Sequence, residues 1–590
     1  MPNPYAHCSK DLGVDNIKCI PPIIFVPMIH RQLIAVCLLI LAAPGAFAQS
    51  DNGYIPPMDI PLILAGNFGE LRRNHFHTGI DIKTQGRQGI PLLSIADGYV
   101  SRIKVSPYGY GNALYIDHPD GRTSVYAHMR AFNDTIAAFI RAKQYELETW
   151  AIEFYPEAGE LPLIQGDVIG LSGNSGSSSG PHLHFEIRET DSEHPLNPLS
   201  FGFKVTDSKP PVIRGMRAYP LNEQSHVEQS DAPKGSVAIS NGSEGSYRLD
   251  NPIHVNGSIG LGIHTYDLMS GTSNKYGIYK LEMYVEDELH YSHTMDELDF
   301  DNFRQVNCHK DYDLFHNSKW RYHKCFPSEN NTLEIYGELI DDGTLRLSEG
   351  DTLDVKFVSS DIEGNSSLLL VTLIGSSPVS EPWPVSAGIP MDASSDNLHL
   401  DSGLVVRIPK GRIYEDFNLR PSRQMSTTST SDVFTLHDKD VPLNDIIKVS
   451  IKAHAADSLS RIVMECTDFR GRKNYLPTVE YNDWFEAENK YFGTYRLIND
   501  ITPPFVTVSG LSEKAKKNSI KLSLRDDGSG VSEFKVRIDG QYLLMSHNTS
   551  MSRAWGKLAD LNLAKGEHVL EVVVKDIAGN VKTKSIDFQY

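Results

Sequence analysis

The fold of this chain is decided by two short stretches, His77-Thr-Gly-Ile-Asp81 and Pro181-His-Leu-His-Phe-Glu186. The second stretch alternates polar and apolar residues, which is the period-two pattern of a half-buried β-strand. Because side chains two positions apart on a strand face the same way, His182 and His184 project together, with their backbones about 6.6 Å apart. Both imidazoles are therefore predicted to reach one metal-centred site.

The first stretch needs a bend before it can join that site. Gly79 and its β-branched neighbours disfavour a helix, so His77 and Asp81 do not share a helical face. A straight strand would separate these two residues by about 13 Å, which is too far for one ion to bridge. We therefore predict a bend near Thr78-Gly79, where glycine relaxes the backbone.

Together the two stretches offer histidine nitrogens and a carboxylate, the ligand types that zinc prefers. A set of two histidines and one carboxylate leaves zinc a fourth position for water, which is the pattern of catalytic rather than structural sites. Water bound there would ionise near neutral pH. A further imidazole comes from His128, which ends the alternating run Arg122-Thr-Ser-Val-Tyr-Ala-His128.

The order of these motifs resembles the lysostaphin/LytM-type family of zinc metallopeptidases, which cut peptide bridges in bacterial peptidoglycan. The resemblance covers residues 66–188. It consists of His-x-x-x-Asp at 77–81, a Tyr-Ala-His at 126–128, and a glycine- and serine-rich loop leading into Gly-Pro-His-Leu-His-Phe-Glu at 180–186.

Carried over position by position, the resemblance implies that His77, Asp81 and His184 bind one zinc ion. It also implies that His128 and His182 stay off the metal, where they would orient and deprotonate the attacking water and stabilise the oxyanion. An imidazole suits these roles because its pKa lies near working pH.

Each motif also has a simpler interpretation. His77 alone would more often be a hydrogen-bonded structural histidine, and His128 alone would mean little. The loop 173–181 faintly suggests a serine nucleophile, but its glycine spacing does not complete the Gly-x-Ser-x-Gly turn, so we interpret it as a flexible substrate-binding loop. Glu186 is expected to brace a neighbouring strand or a ligand.

The predicted fold class is mainly β. A LytM-type antiparallel β peptidase domain is predicted over residues 57–203, where short alternating runs are separated by Gly and Pro turns. An inserted helix is expected within residues 132–156, because the run from Ile136 to Trp150 has strong helix formers and neither Gly nor Pro. We expect this helix to wall one side of the substrate groove.

The remaining chain contains weak internal repeats. Three turn motifs occur twice: Asp207-Ser-Lys-Pro-Pro and Asp500-Ile-Thr-Pro-Pro, Asp267-Leu-Met-Ser-Gly and Asp526-Asp-Gly-Ser-Gly, Asp361-Ile-Glu-Gly-Asn and Asp576-Ile-Ala-Gly-Asn. Alternating strands between such turns resemble bacterial immunoglobulin-like β-sandwiches, and about three modules are predicted. They span 207–375 with an insertion, 392–499 and 500–590, with a Pro- and Ser-rich linker at 376–391.

Residues 1–48 are interpreted as upstream residues followed by a signal peptide, with Met28 as the true start. The apolar run from Leu33 to Ala43 follows His30-Arg31, precedes a small-residue cleavage site, and is too short to span a membrane. The alternative is an uncleaved anchor over residues 20–43. We expect export to the periplasm, cell envelope or exterior, with no stable membrane span after cleavage.

Composition and cysteine content limit which partners and which cysteine pairing are expected. A length of 590 residues with 40% hydrophobic and 22% charged residues is ordinary for a multidomain globular protein, and a net charge of -19 argues against nucleic acid as a partner. For Cys308 and Cys325 a disulfide worth about 3 kcal/mol is the preferred interpretation, with Cys466 as a buried thiol. A zinc site formed by the first two with His309 and His323 is the alternative.

We therefore predict an exported zinc metalloendopeptidase that hydrolyses peptide cross-links of peptidoglycan by metal-activated water. The β modules are expected to place the enzyme and to offer surfaces to envelope proteins. One alternative is a non-catalytic relative that activates other wall hydrolases. Another is an adhesin-like surface protein in which the zinc fold is incidental.

Overall fold

The computed structural model describes residues 53–590, apart from 382, 384–386, 428, 455–459, 512–518 and 549. The predicted start at Met28 and the predicted signal peptide lie outside these residues. None of the helices in the described part of the chain combines the length and hydrophobicity that a membrane crossing needs.

The first part of the chain, through residue 203, is an antiparallel β structure with one inserted helix. Its elements are β1 (Leu64–Gly66), β2 (Ile80–Lys83), β3 (Pro91–Leu93), β4 (Gly98–Val105), β5 (Asn112–Asp117), β6 (Arg122–Ala127), β7 (Ala131–Phe132), α1 (Asp134–Glu146), β8 (Ile152–Phe154), β9 (Pro162–Leu163), β10 (Val168–Leu171), β11 (His182–Glu189) and β12 (Pro195–Leu196).

Strand β11 lies at the centre of the main sheet, whose order is β1–β2–β11–β6–β5–β4–β8. Leu183, Phe185 and Ile187 are fully buried in the core on one side of β11. The histidines of the same strand face the other side, as the alternation predicts. A smaller sheet, β3–β10–β7, completes this unit.

Helix α1 forms where strong helix formers follow a good N-cap. The side chain of Asn133 accepts a hydrogen bond of 2.9 Å from the backbone N–H of Ile136. Ile136 and Ile140, four residues apart and so on one face, are buried in the core. We predicted a helix as far as Trp150, but α1 ends at Glu146.

The exposed side of α1 and the turn after it contact the last part of the chain. Arg141 pairs with Asp560 at 2.6 Å, and the ring of Trp150 lies 5.0 Å from that of His547. The structure thus gives this helix a docking contact with the last unit, and its role as a wall of the substrate groove stays a prediction.

The second unit is organised around one long strand. Its elements are β13 (Val212–Pro220), β14 (His226–Val227), β15 (Lys234–Val237), β16 (Ile239–Ser240), β17 (Ser246–Arg248), β18 (Ile253–Tyr266), β19 (Lys280–Val285), β20 (Glu288–Thr294), α2 (Val306–His309), α3 (Tyr312–Ser318), β21 (Tyr322–Lys324), β22 (Tyr336–Leu339), β23 (Leu345–Leu347), β24 (Thr352–Ser360) and β25 (Ser366–Gly375). β18 pairs antiparallel with β13 and parallel with β25, which links the strands of this unit into one continuous sheet. The predicted insertion is the segment that carries α2, α3 and β21.

Two further units are sandwiches of paired sheets. The third contains β26 (Ile389–Met391), β27 (Asn397–Asp401), β28 (Leu404–Ile408), β29 (Phe417–Leu419), β30 (Ser422–Gln424), β31 (Val433–Thr435), β32 (Ile447–Lys452), β33 (Ile462–Thr467), β34 (Lys473–Pro477), β35 (Val479–Tyr481), β36 (Trp484–Asn489) and β37 (Thr494–Asn499). The fourth contains β38 (Phe505–Ser509), β39 (Ser519–Arg525), β40 (Val531–Ile538), β41 (Gln541–Tyr542), β42 (Ser546–His547), β43 (Arg553–Lys557), β44 (Glu567–Asp576) and β45 (Val581–Gln589).

In each of these units, two sheets share one hydrophobic cluster between their inner faces. The sheets are β27–β28–β32–β36–β35 and β30–β31–β37–β33–β34 in the third unit, and β38–β39–β43–β42 and β41–β40–β44–β45 in the fourth. Val449 and Leu497 come from opposite sheets of the first cluster, and Leu522 and Val572 from opposite sheets of the second. The predicted mainly-β fold class is confirmed.

The repeated motifs give the second and fourth units the same local geometry. Three carboxylates converge in each unit: Asp207, Asp267 and Asp361 in the second, and Asp500, Asp526 and Asp576 in the fourth. Asp361 accepts hydrogen bonds of 2.8 Å from the backbone and side-chain amides of Asn365. Asp576 accepts the same two bonds from Asn580 at 2.7 and 2.8 Å. The sequence repeat is therefore also a structural one.

The three cysteines within residues 53–590 are free, buried thiols: Cys308, Cys325 and Cys466. The preferred disulfide is therefore wrong. Cys308 ends up beside Gln305, whose backbone oxygen lies 3.0 Å from its sulfur, while Cys325 packs into the core of the second unit. Cys466, only 1% exposed, is the buried thiol that we expected.

Candidate metal centre

Strand register and one bend bring the two decisive stretches together. β2 runs antiparallel to β11 with Asp81 directly opposite His184. The chain bends at Gly79 before β2 begins, as predicted, and this turns His77 back toward the other two. A side chain at Gly79 would place its Cβ 2.3 Å from the backbone oxygen of Phe185, so only glycine fits there.

Three ligand-type atoms meet at one buried point. His77 Nε2 lies 3.1 Å from His184 Nδ1 and 3.1 Å from Asp81 Oδ1. His184 Nδ1 is 3.0 Å from the same carboxylate oxygen. All three residues are at most 9% exposed. The structure thus brings together His77, Asp81 and His184, the residues that the resemblance implies as metal ligands.

The outer hydrogen bonds of the two rings decide which nitrogen carries the proton. His77 Nδ1 lies 2.7 Å from the backbone oxygen of Asn67, which can only accept, so this nitrogen holds the hydrogen. His184 Nε2 lies 2.7 Å from a carboxylate oxygen of Glu186 and is fixed in the same way. The other nitrogen of each ring, His77 Nε2 or His184 Nδ1, faces the Asp81 oxygen.

Three ligand-type atoms within 3.1 Å of one another need a positive charge among them, either a proton on an imidazole or a metal ion. The electrostatics of the site point the same way. Although burial opposes both shifts, His77 and the imidazole hydrogen bonds hold the pKa of Asp81 well below its usual value, and hydrogen bonds to Asp81 and Glu186 raise the pKa of His184 to about 9. A transition-metal ion fits this donor set, and outer partners of this kind are typical of histidine metal sites.

The two remaining histidines stand beside this point. The ring centroids of His128 and His182 are 4.7 Å apart, and His182 Nε2 is 3.4 Å from Asp81 Oδ1. His128 Nδ1 lies 2.9 Å from the carbonyl of Ser175, and His182 Nδ1 lies 2.8 Å from that of Gly180. Both rings therefore carry their proton on Nδ1 and keep Nε2 as an acceptor.

Glu186 lies behind His184 and binds several neighbouring side chains. Its carboxylate lies 2.5 Å from the hydroxyls of Thr78 and Tyr110 and 2.7 Å from Arg188 Nε. It is fully buried, and although burial opposes ionisation, Arg188 and His184 hold its pKa below the usual range. The ring of Tyr110 stacks on His184 with centroids 5.1 Å apart.

Sequence reasoning missed one charged neighbour of the site, Arg72. Its guanidinium lies 3.1 Å from Asp81 Oδ2 and 3.0 Å from Glu70. Glu70 in turn pairs with Arg321 of the second unit at 2.6 Å. Arg72 belongs to a loop without a motif, so no signal in the sequence indicated it.

Two parts of the chain match models of known families. Residues 75–145 match the model of Peptidase family M23, and residues 389–500 match that of a Zu5-like domain. The chain contains a LytM-type M23 peptidase domain. Its third unit is similar to the Zu5-like domain.

Individual relatives match part of the chain. DD-carboxypeptidase/endopeptidase Mpg of Neisseria meningitidis is 36% identical over 124 residues, which are 21% of this chain and 22% of the relative. Peptidoglycan DD-endopeptidase ShyB of Vibrio cholerae is 29% identical over 142 residues, 24% of this chain and 25% of the relative. This chain thus spans a quarter or less of the length of these two relatives.

Among solved structures, the catalytic domain of a variant of the M23 protein EnpA from Enterococcus faecalis is similar to part of this chain. It is 24% identical, and the match covers 25% of this chain and 98% of that one with a TM-score of 0.19.

Proposed function

We propose that this protein is an exported zinc metalloendopeptidase that hydrolyses peptide cross-links of bacterial peptidoglycan. One observation carries the proposal: His77 Nε2 and His184 Nδ1 converge on a carboxylate oxygen of Asp81 at 3.0–3.1 Å, a donor set that fits a zinc ion. Peptidoglycan is supported as the substrate by the names of the relatives, one of them a peptidoglycan DD-endopeptidase.

His77, Asp81 and His184 would hold the metal. When bound, zinc supplies Lewis acidity, which polarises a carbonyl and lowers the pKa of a bound water. The outer bonds from Asn67 and Glu186 keep the two rings in the orientation and tautomer that binding needs.

His128 and His182 would handle the proton. Each presents Nε2 toward the site because its Nδ1 is tied to a backbone carbonyl. Burial, together with the nearby His184 and His182, lowers the pKa of His128 to about 4, so this ring is neutral at pH 7 and can accept a proton from water. The same nitrogen can then return that proton to the leaving amine.

Digestion of purified peptidoglycan separates these roles. The zinc-loaded full chain is expected to release peptides detectable by mass spectrometry, and chelation is expected to stop the release. His184→Ala should lose activity together with the zinc ion held by His77, Asp81 and His184. His128→Ala should keep zinc but lose about 100- to 10,000-fold in rate, the usual contribution of a general base.

His194→Gln is the matched control, since His194 lies in the same unit but pairs with Glu297 on the surface. It should match the wild type in zinc content and rate. A zinc-loaded wild-type chain that releases nothing from any peptidoglycan would contradict the proposal and favour the non-catalytic activator.

A further inference from the structure

Three histidines of the second unit form a second buried cluster, away from the M23 site. His293 lies in β20, His309 ends α2, and His323 lies in β21. All three are at most 2% exposed. Their ring centroids are 5.0 to 5.4 Å apart, and one ring nitrogen from each lies within 4.8 Å of the others.

Two features of this cluster are those of ligands rather than of ordinary core residues. His309 Nε2 faces His323 Nδ1 at 3.1 Å, close to the spacing of about 3.3 Å that two imidazole nitrogens take around one tetrahedral zinc ion. His293 Nε2 is buried and has no hydrogen-bond partner. A buried polar atom without a partner is rare and calls for an explanation such as a bound ion.

The outer contacts of these rings also resemble those of metal ligands. His293 Nδ1 lies 3.0 Å from the hydroxyl of Tyr291, and His309 Nδ1 lies 3.2 Å from that of Tyr336. Hydrogen bonds of this kind to the outer nitrogen orient a ligating imidazole.

Nearby cations already have partners, so they do not oppose a metal ion strongly. Lys324 pairs with Glu415 at 3.1 Å, and Arg321 pairs with Glu70 at 2.6 Å. Lys310 is buried, and burial holds its pKa well below the usual value. Its amino group donates to the carbonyls of Arg72 and Arg73.

We propose that His293, His309 and His323 form a second metal site, specific for a first-row transition-metal ion that prefers imidazole ligands, with Zn²⁺ as the natural test ion. Such an ion would fasten the inserted segment of α2 and β21 to β20. The segment in turn touches the peptidase domain, because the ring of Phe76, next to His77, lies 5.7 Å from that of His309.

This arrangement corrects one alternative from the sequence. His309 and His323 do come together, as that alternative supposed, but their third partner is His293 and not a cysteine. His293 lies in β20, 16 residues before His309 in the sequence. No zinc motif has this spacing, so the sequence did not indicate His293.

Metal content of the full chain tests the proposal. The protein is stripped with chelator, loaded with Zn²⁺ in excess Ca²⁺ so that the carboxylate clusters do not take zinc, desalted, and measured by mass spectrometry. The wild type should hold two equivalents. His184→Ala and His323→Gln should each hold one, and the double variant none.

The control is His254→Gln, whose side chain is 50% exposed on the same unit, and it should hold two equivalents. If His323→Gln does not fold, His184→Ala decides the question. Uptake of one equivalent of Co²⁺ by His184→Ala, with a visible spectrum typical of nitrogen ligands, supports the second site. A rise in the melting temperature of this variant when it binds metal also supports it. A His184→Ala variant that takes up no metal overturns it, and the M23 site is unaffected by that outcome.

Discussion

Glu186 connects the proposed metal centre of the M23 domain to the strand that carries it. One oxygen lies against His184 and the other against Arg188, and the acid and the guanidinium are 0% and 3% exposed. Removing one partner from such a buried pair leaves the other charge uncompensated, which costs about 3–5 kcal/mol. The same carboxylate fixes the tautomer of His184, a proposed metal ligand.

We expect Glu186→Gln to lower the free energy of unfolding by about 3 kcal/mol in chelator at pH 7, measured by urea denaturation. Zinc affinity should also fall by about 10- to 100-fold, because His184 loses the group that orients it. Since the folded pKa of Glu186 is lowered, its stabilising effect is present above the ordinary value of 4.5 and is lost as pH falls below it. The difference between variant and wild type should therefore shrink under acid conditions.

Glu193→Gln controls for the loss of charge. Glu193 pairs with the same guanidinium at 3.2 Å, but its side chain is 54% exposed. An exposed ion pair contributes about 0–1 kcal/mol, so this variant should stay near the wild type in stability and zinc affinity. Equal losses in the two variants would mean that Glu186 has no special role.

At the scale of elements, the bend before β2 brings His77 close to Asp81 of β2 and His184 of β11, so that the three residues form one site. Gly79→Ala would place a Cβ 2.3 Å from the oxygen of Phe185 and 2.8 Å from Glu186 Cγ. That backbone oxygen belongs to β11, so relief requires β2 or β11 to shift. We expect zinc affinity to fall at least about tenfold, since a small displacement of His77 breaks a three-ligand set.

Gly180→Ala is the comparison, because a Cβ there meets nothing within 4 Å although the residue lies in the loop next to His182. Competition with a fluorescent chelator measures both zinc affinities. If the two alanine variants bind zinc equally well, the close approach at Gly79 does not hold the ligands.

Local pattern was enough to predict β11, the bend and the convergence of its histidines, because alternation fixes which side chains share a strand face. Local pattern did not predict contacts that depend on how distant elements pack together. The 16-residue interval from Cys308 to Cys325 suggested a disulfide, but a short helix and a strand carry the two sulfurs to different surroundings. His293 joins His309 only through the folding of β20 against the inserted segment.

At the scale of the whole molecule, the second unit forms hydrogen bonds with the peptidase domain near His77. The side chain of Asn67 and the backbone of Gly277 exchange two hydrogen bonds of 2.8 Å. The backbone oxygen of Asn67 also lies 2.7 Å from His77 Nδ1. Asn67 therefore joins the second unit to His77, a proposed metal ligand, and the spacing of 210 residues between Asn67 and Gly277 explains why the sequence did not indicate this link.

We expect Asn67→Ala to cost about 1–3 kcal/mol, because both polar groups of Gly277 lose their partner in a buried place. Freed from the second unit, the backbone of residue 67 should hold His77 less firmly, so zinc affinity should fall several-fold. Asn274→Ala is the matched control: it removes a bond of 2.9 Å to the carbonyl of Ala65, across the same contact but away from His77. Calorimetric zinc titration should show weakened binding in the first variant and not in the second. Unchanged zinc affinity in Asn67→Ala, or an equal loss in both, would mean that the second unit stabilises the peptidase domain without holding its metal ligands.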